Sequence, residues 1–380
     1  MEFDFDAPVE RSGTWSTRWE RYAGRDVIPL WVADSDFRAP PAVLHALAAR
    51  VEHGVFGYTT PPAALTEAIC ERLERRYAWR VEPSWVVYLS GVVPGLHLAA
   101  RKLAPPDGHV LVPRPVYQHL KRAAELAPRR FTEIPLFLEG GRWVFDPQDL
   151  RKDADLFFLC NPQNPGGTVF RRAELERLAE ASGRAIIVSD EIHCDLVLDP
   201  ELRHVPIASL SPEVSRRTVT LMSASKTFNF PAAGCAWAII EDDRLRRAFA
   251  ADIAAHVLHS PSVFGYDATL AAFRGGDAWL AAQLEYLRGN RDLVEGAMAA
   301  AGLPTAHVEA TYLAWIDASC LAEGRDAYPL FLEAGVALSP GPQFSGPGGF
   351  VRLNFATQRA RLAEALARMT RAAAARPAPR

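Results

Sequence analysis

Apolar residues gather in short runs along most of this chain, and the runs alternate with stretches of helical period. The runs at 85–89, 109–112, 155–160, 185–189, 218–222 and 236–240 are about four to six residues long, and most pass straight into polar residues. Runs of that length between turn signals predict buried strands. The stretches 42–51, 63–77, 92–103, 117–125, 171–182 and 243–255 read as helices, with Leu65, Ile69 and Leu73 sharing one face of the second. Such alternation predicts an α/β fold with a mostly parallel sheet covered by helices on both faces. Ligands bind such sheets at the loops that follow the strands, so the polar residues after each run are where chemistry is expected.

The pattern changes after Asp267. A long Ala-, Leu- and Arg-rich helical stretch reaches Leu293, followed by two short strands, 311–316 and 351–355, and a last helix, 358–369. This predicts a second, smaller α+β domain. At the other end Pro29, Pro40 and Pro41 break residues 1–41 into an extended arm. The expected organisation is the arm 1–41, counted with the small domain, a large domain over 42–266, and the small domain over 267–370. The Ala/Arg/Pro-rich tail 371–380 is expected to be disordered. A chain of 380 residues suits two domains that share one site.

Composition narrows the partners. The 42 Lys and Arg residues are offset by 45 Asp and Glu, a net charge of −3. Without a long-range positive field, nucleic acid and anionic membranes are not expected partners. Cys70, Cys160, Cys194, Cys235 and Cys320 are scattered and form no CxxC or zinc-finger spacing, so no metal is expected. Reduced thiols in the cytoplasm fit that usage better than a disulfide framework. The acidic start, Met1 to Asp6, lacks the basic and apolar regions of a signal peptide, and no stretch is long and apolar enough to span a bilayer.

Five motifs sit where runs end. Ser223-Ala224-Ser225-Lys226 follows the run 218–222. A lysine at the end of a buried strand is costly unless paired or neutral, and capture of an aldehyde cofactor is one use for it; Ser223 and Ser225 could donate to a phosphate. Asp190-Glu191 follows 185–189; Asp190 is the choice to hold a protonated ring nitrogen, and Glu191 reads as structural or solvated. Cys160 to Gly167 holds two Asn-Pro steps and two glycines, a tight turn able to aim the Asn164 amide. Ser90-Gly91-Val92-Val93 opens a helix whose free N–H groups suit a phosphate. Arg352, in an alternating strand, suits a carboxylate, with a structural salt bridge as the competing reading.

Taken in order, Gly91-Val92-Val93, Asn164-Pro165-Gly166, Asp190-Glu191, Ser225-Lys226 and Arg352 resemble fold-type I, class I/II aminotransferase-like pyridoxal-phosphate (PLP) enzymes, over nearly the whole chain. Trp31 to Phe37, Phe56-Gly57-Tyr58-Thr59, Ser189 to His193, Ser225 to Asn229, Thr311 to Asp317 and Gly335 to Gly341 resemble the MalY/PatB-like cystathionine β-lyase branch. The resemblance implies the aspartate-aminotransferase fold, PLP as cofactor and a homodimer. It implies Lys226 as the Schiff-base lysine and Cα proton carrier, Asp190 at the pyridine nitrogen, Asn164 and His193 near the ring oxygen, and Tyr117 stacked on the ring. Val92, Val93, Ser223 and Ser225 would hold the phosphate, Tyr58 would reach the neighbouring subunit's phosphate, and Arg352 would take the substrate carboxylate. The implied activity is α,β-elimination from cystathionine or another S-substituted cysteine. An aminotransferase sharing every one of these residues is the alternative, and a binding protein that kept the fold is disfavoured by the intact set. Ser35 stands where the branch has a methionine, and the 341–350 loop is glycine-rich and short; both are expected to border the substrate pocket.

Overall fold

The computed structural model describes residues 3–255, 257–322 and 324–375. The arm contributes β1 (Ile28–Pro29), and the large domain follows with β2 (Val86–Leu89), β3 (His109–Arg114), β4 (Arg130–Glu139), β5 (Arg142–Phe145), β6 (Leu156–Cys160), β7 (Ile186–Asp190), β8 (Thr218–Met222) and β9 (Ala236–Ile239). These eight large-domain strands form one sheet in the order β2-β9-β8-β7-β6-β3-β4-β5. The run from β8 to β4 is parallel, whereas β9 is antiparallel to both its neighbours and β5 to β4.

The two faces follow from alternation. On one face Val110, Val112, Phe158 and Val188 pack under Leu96 and Ala99 of helix Val92–Lys102 and Leu120 of helix Gln118–Leu126. On the other, Leu111, Phe157, Leu159 and Ile187 pack against Leu175 and Leu178 of helix Arg172–Ala181. Every residue of β6 and β8 is buried, which is why β6 reads as an unbroken apolar run rather than an alternating one; in β8 the buried Thr218 hydroxyl is satisfied by Val214 O at 2.7 Å.

The β4–β5 hairpin was not anticipated. It turns at Gly140 and Gly141, both at positive φ, a conformation glycine adopts without a Cβ clash. Its strands close one end of the sheet, where part-exposed, charge-interrupted sequence hides the pattern.

The small domain holds β10 (Leu313–Asp317), β11 (Val336–Ala337), β12 (Ser339–Pro340) and β13 (Phe350–Asn354). An antiparallel sheet runs β10-β13-β12, and β11 pairs in parallel with β1 of the arm. Asn354 Nδ2 donates to the carbonyl of Asp34 at 2.6 Å, and Asp36 N–H donates to Ala356 O at 2.9 Å. Buried Arg18 and Asp36 pair at 3.2 Å behind that strap. The arm thus lies along β13 and presents Trp31 to Ala33 toward the large domain.

The helical stretch after Asp267 is two helices, Val263–Gly275 and Asp277–Ala300, broken at Gly276. A Cβ at Gly276 would sit 2.7 Å from the Phe228 ring, so the close approach requires glycine there. The first helix packs on Pro41–His53 and Ala63–Tyr77 and the second on Arg359–Ala374, and the division expected at 266/267 falls inside the first. The last helix, Arg359–Ala374, runs well beyond 369. The tail expected to be disordered from 371 is therefore helical as far as Ala374, and 376–380 lie outside the described residues. Among the described residues no helix is long and apolar enough to cross a membrane, and no cluster of three metal-ligating side chains occurs.

Candidate active site

The ends of β2, β3, β6, β7 and β8 converge on one cavity of about 340 Å³, closed from above by the arm and β13. Asp190 ends β7, and beyond β8 a three-residue link leads to Lys226. Asn164 lies in the turn after β6, Tyr117 follows β3, and Val92 and Val93 open the helix after β2. Arg352 comes from β13. All of these line the cavity, as do His193 and Ser225.

Burial dominates the electrostatics. Lys226 donates from Nζ to the carbonyl of Ala33 at 2.6 Å. Desolvation brings its ammonium from 10.5 down to about 8, with Arg352 adding to the fall and Asp34 and Asp190 opposing it. Asp190 is pushed up to about 7, again chiefly by burial, although Oδ1 accepts from Ile192 N–H at 3.2 Å. Neither group has an ion-pair partner within 4.0 Å among the described residues, so burial moves both the amine and the carboxylate toward their neutral forms without a close counter-charge to oppose it.

Arg352 is the third buried ionisable group. Nη1 donates to Asn164 Oδ1 at 3.0 Å, Nη2 to Trp31 O at 2.8 Å and to Ser339 Oγ at 3.4 Å, and the guanidinium lies over the Phe344 ring at 4.5 Å. Its Nε has no partner, and no carboxylate among the described residues pairs with it. Burial lowers it to about 10. A structural salt bridge, the competing reading of this arginine, is not formed. His193 is held neutral, its pKa lowered to about 3 by burial, with Nδ1 unpartnered and the ring edge-on to Tyr312 at 5.8 Å. The Tyr117 hydroxyl is raised to about 12, first by burial and then by Asp190.

The family model for aminotransferase class I and II matches residues 25–369. The chain belongs to the class I and II aminotransferase family. Its similarity to cystathionine β-lyase PatB of Bacillus subtilis (strain 168) is 36% identity over 96% of this chain and 98% of that protein. The crystal structure of OvoB superposes with a TM-score of 0.95 at 42% identity, covering 99% of this chain and 100% of that one. The PLP-bound C–S lyase from Staphylococcus hominis gives 0.91 at 28% identity, covering 98% of each. The aspartate-aminotransferase fold and the PatB/MalY branch expected from the sequence are thereby established.

Not every residue expected to serve this family's site reaches the cavity. Ser223 stands behind it, its hydroxyl donating to Cys235 O at 2.6 Å and lying 2.9 Å from Ser225 Oγ, so it braces Ser225 instead. Tyr58 is wholly exposed and outside the cavity of its own chain. Ser35 does not line the pocket; it is buried within the arm, its N–H donating to Asn229 Oδ1 at 3.1 Å. Glu191 is structural and not solvated, bonded to His204 Nε2 at 2.7 Å and Ser189 Oγ at 2.8 Å. Conversely, Ala33 and Gln118 enter the site without having been singled out, and Gln343 does so from the loop flagged as bordering the pocket. A larger hollow of about 490 Å³, near Tyr77, Asp195 and Arg288, contains none of the candidate residues.

Proposed function

We propose that the chain is a PLP-dependent carbon–sulfur lyase that cleaves cystathionine or another S-substituted cysteine by α,β-elimination. The observation that carries this reading is Lys226. It is a buried amine that desolvation holds at about 8, in one cavity with Asp190 and with an arginine that lacks a carboxylate partner. Elimination is favoured over transamination because PatB and the S. hominis protein are named for C–S cleavage.

The donor set fits the cofactor. Lys226 offers an amine to its aldehyde, and Asp190 a buried carboxylate to the pyridinium nitrogen. Because Asn164 Oδ1 is occupied by Arg352, its Nδ2–H group is left to donate to the ring oxygen, near His193. Tyr117 offers a ring face. Val92 and Val93, at a helix start where N–H groups lack intrahelical partners, and Ser225 suit the phosphate. When bound, pyridoxal phosphate supplies an aldehyde for the substrate amine and a cationic ring that draws electrons from Cα.

Arg352 receives the substrate carboxylate and so fixes which Cα bond faces Lys226. The Lys226 amine takes the Cα proton. The Cβ–S bond then breaks with its electron pair left on sulfur, and the Lys226 ammonium returns a proton to the thiolate. Substrate and one water together give thiol, pyruvate and ammonia. The test is an assay of the holoenzyme with S-substituted cysteines. Pyruvate and thiol in equal amounts are expected. Pyridoxamine phosphate that persists until a 2-oxo acid is added, with no thiol, would replace this reading by an aminotransferase.

A homodimer belongs to the same proposal. Exposed Tyr58 lies beside exposed Val55 and Phe56, an arrangement suited to reaching the phosphate of a neighbouring subunit. The cytoplasm is the location we propose, since Cys70, Cys160, Cys194, Cys235 and Cys320 are all free thiols.

A further inference from the structure

Gln118 begins helix Gln118–Leu126 in the large domain, and Gln343 lies in the turn Gly341–Phe344 of the small domain. Both line the cavity, and Gln343 Nε2 donates to Gln118 Oε1 across it. An amide carries one acceptor oxygen and one NH₂ group. Whichever way the pair is turned, one carbonyl and one NH₂ are left over for a third partner.

The charges around them are already engaged. Among the described residues lining the cavity, the charged side chains are Lys226, Asp190 and Arg352, and each has its task at the reacting end of the substrate. Lys121, one turn along from Gln118, donates to Ser345 Oγ at 3.1 Å and pairs with Glu133 at 3.2 Å. Trp31, Ile192 and Pro231 add apolar and aromatic surface to the same cavity. A second amino-acid terminus, such as the far end of cystathionine, would bring an ammonium and a carboxylate here without counter-ions, at a desolvation cost. A purely apolar group would break the amide pair and return nothing.

We propose that Gln118 and Gln343 read the sulfur substituent, and that the preferred substrates carry there a neutral planar group with a donor and an acceptor side by side, as in a carboxamide. This narrows the substrate class within the lyase reading and rests on it. Such a group replaces one glutamine–glutamine bond with two bonds to the substrate. Because the glutamines stand on different domains, the same contact would also tie the two domains together over the bound substrate.

The experiment compares kcat/KM for S-(carboxamidomethyl)cysteine, S-(carboxymethyl)cysteine, S-isobutylcysteine and cystathionine, in wild type and in Gln118→Leu and Gln343→Leu holoenzymes. Thiol leaving ability differs among the substrates, but it cancels when the amide-to-isobutyl ratio is compared between proteins. That ratio is expected to fall about five- to tenfold in either variant, the worth of a neutral hydrogen bond. The carboxymethyl substrate and cystathionine are expected to trail the amide in wild type. Should a leucine variant fail to fold, Gln118→Met and Gln343→Met report the same ratio. Pyruvate from all four substrates with the ratio unchanged in the variants, or cystathionine outpacing the amide, overturns this inference and leaves the lyase standing. No pyruvate from any of them overturns the lyase reading and this inference with it.

Discussion

Arg352→Lys is the most informative single change. A guanidinium has five N–H donors, and Asn164, Trp31 and Ser339 take three of them. Nε–H is unpartnered and the Nη2 contact to Ser339, at 3.4 Å, is the weakest of the three, so Nε–H with the Nη2–H released from Ser339 gives the parallel pair that a bidentate carboxylate uses. Two charge-assisted bonds are together worth about 3–6 kcal/mol before desolvation is charged against them. A lysine ammonium restores one of them as a point charge but cannot reproduce the fork, so the net loss is about 1.5–3 kcal/mol. At 1.4 kcal/mol per tenfold, this corresponds to KM rising roughly 10- to 150-fold. Two measurements check it: steady-state KM for an S-substituted cysteine, and the spectral titration of the holoenzyme with the matching amine that lacks a carboxylate. The amine's affinity is expected to change much less than the amino acid's. Equal loss for both ligands would refute the carboxylate assignment and return Arg352 to a structural role between Asn164 and the arm.

Three further outcomes are expected. Lys226→Ala should abolish cofactor trapping by borohydride and lower turnover by about 10³-fold or more; in wild-type apoprotein, PLP capture should accelerate as pH rises through about 8, where the amine becomes neutral, and a rate flat from pH 6 to 9 would contradict it. Asp190, ordinarily 3.8 but about 7 when folded, binds its proton more tightly in the folded state, so the stability linked to it is full below about 4 and lost as pH rises to about 7. Apo Asp190→Asn should therefore gain in Tm over wild type across that window while losing turnover, and calorimetry at pH 4 and 8 decides. Asp36→Asn should cost about 3 kcal/mol in denaturant unfolding, because it leaves buried Arg18 with only Asp34 at 3.4 Å as an acidic partner; a loss below 1 kcal/mol would show that the arm's other contacts hold it without this pair.

Legibility tracked burial. All six apolar runs of the large domain are strands within a residue or two of their expected limits, most plainly β6, which is buried on both faces and apolar throughout. The hairpin β4–β5 at the sheet end and the two-residue strands β1, β11 and β12 left no such trace. At the site, Lys226, Asp190 and Asn164 were legible because each follows a buried strand, where a polar or ionisable side chain needs a reason to be. Ala33 was not, because it acts through its carbonyl, which any residue carries. The contact between Gln118 and Gln343 joins residues 225 apart, a juxtaposition created by docking the small domain onto the large one. Ser223 is a different case: its position in the motif suggests phosphate, whereas in the structure its hydroxyl donates to Cys235 O.

Lys226, Asp190 and Arg352 share one physical condition. Burial moves Lys226 down, Asp190 up and Arg352 down, in each case toward the neutral form. Elsewhere this chain pairs its buried charges: Arg18 with Asp36, Arg72 with Asp195 at 2.8 Å, Arg142 with Glu309 at 2.8 Å. The contrast argues that the cavity groups are kept unpaired for partners that arrive from outside. A cationic ring would satisfy Asp190, an aldehyde would consume the amine of Lys226, and a carboxylate would satisfy Arg352. On that argument cofactor and substrate should each raise the Tm of the protein, and the cofactor's contribution should be larger at pH 8 than at pH 5, where Asp190 is protonated already. A cofactor contribution that grows as pH falls would mean that Asp190 is not the group it satisfies.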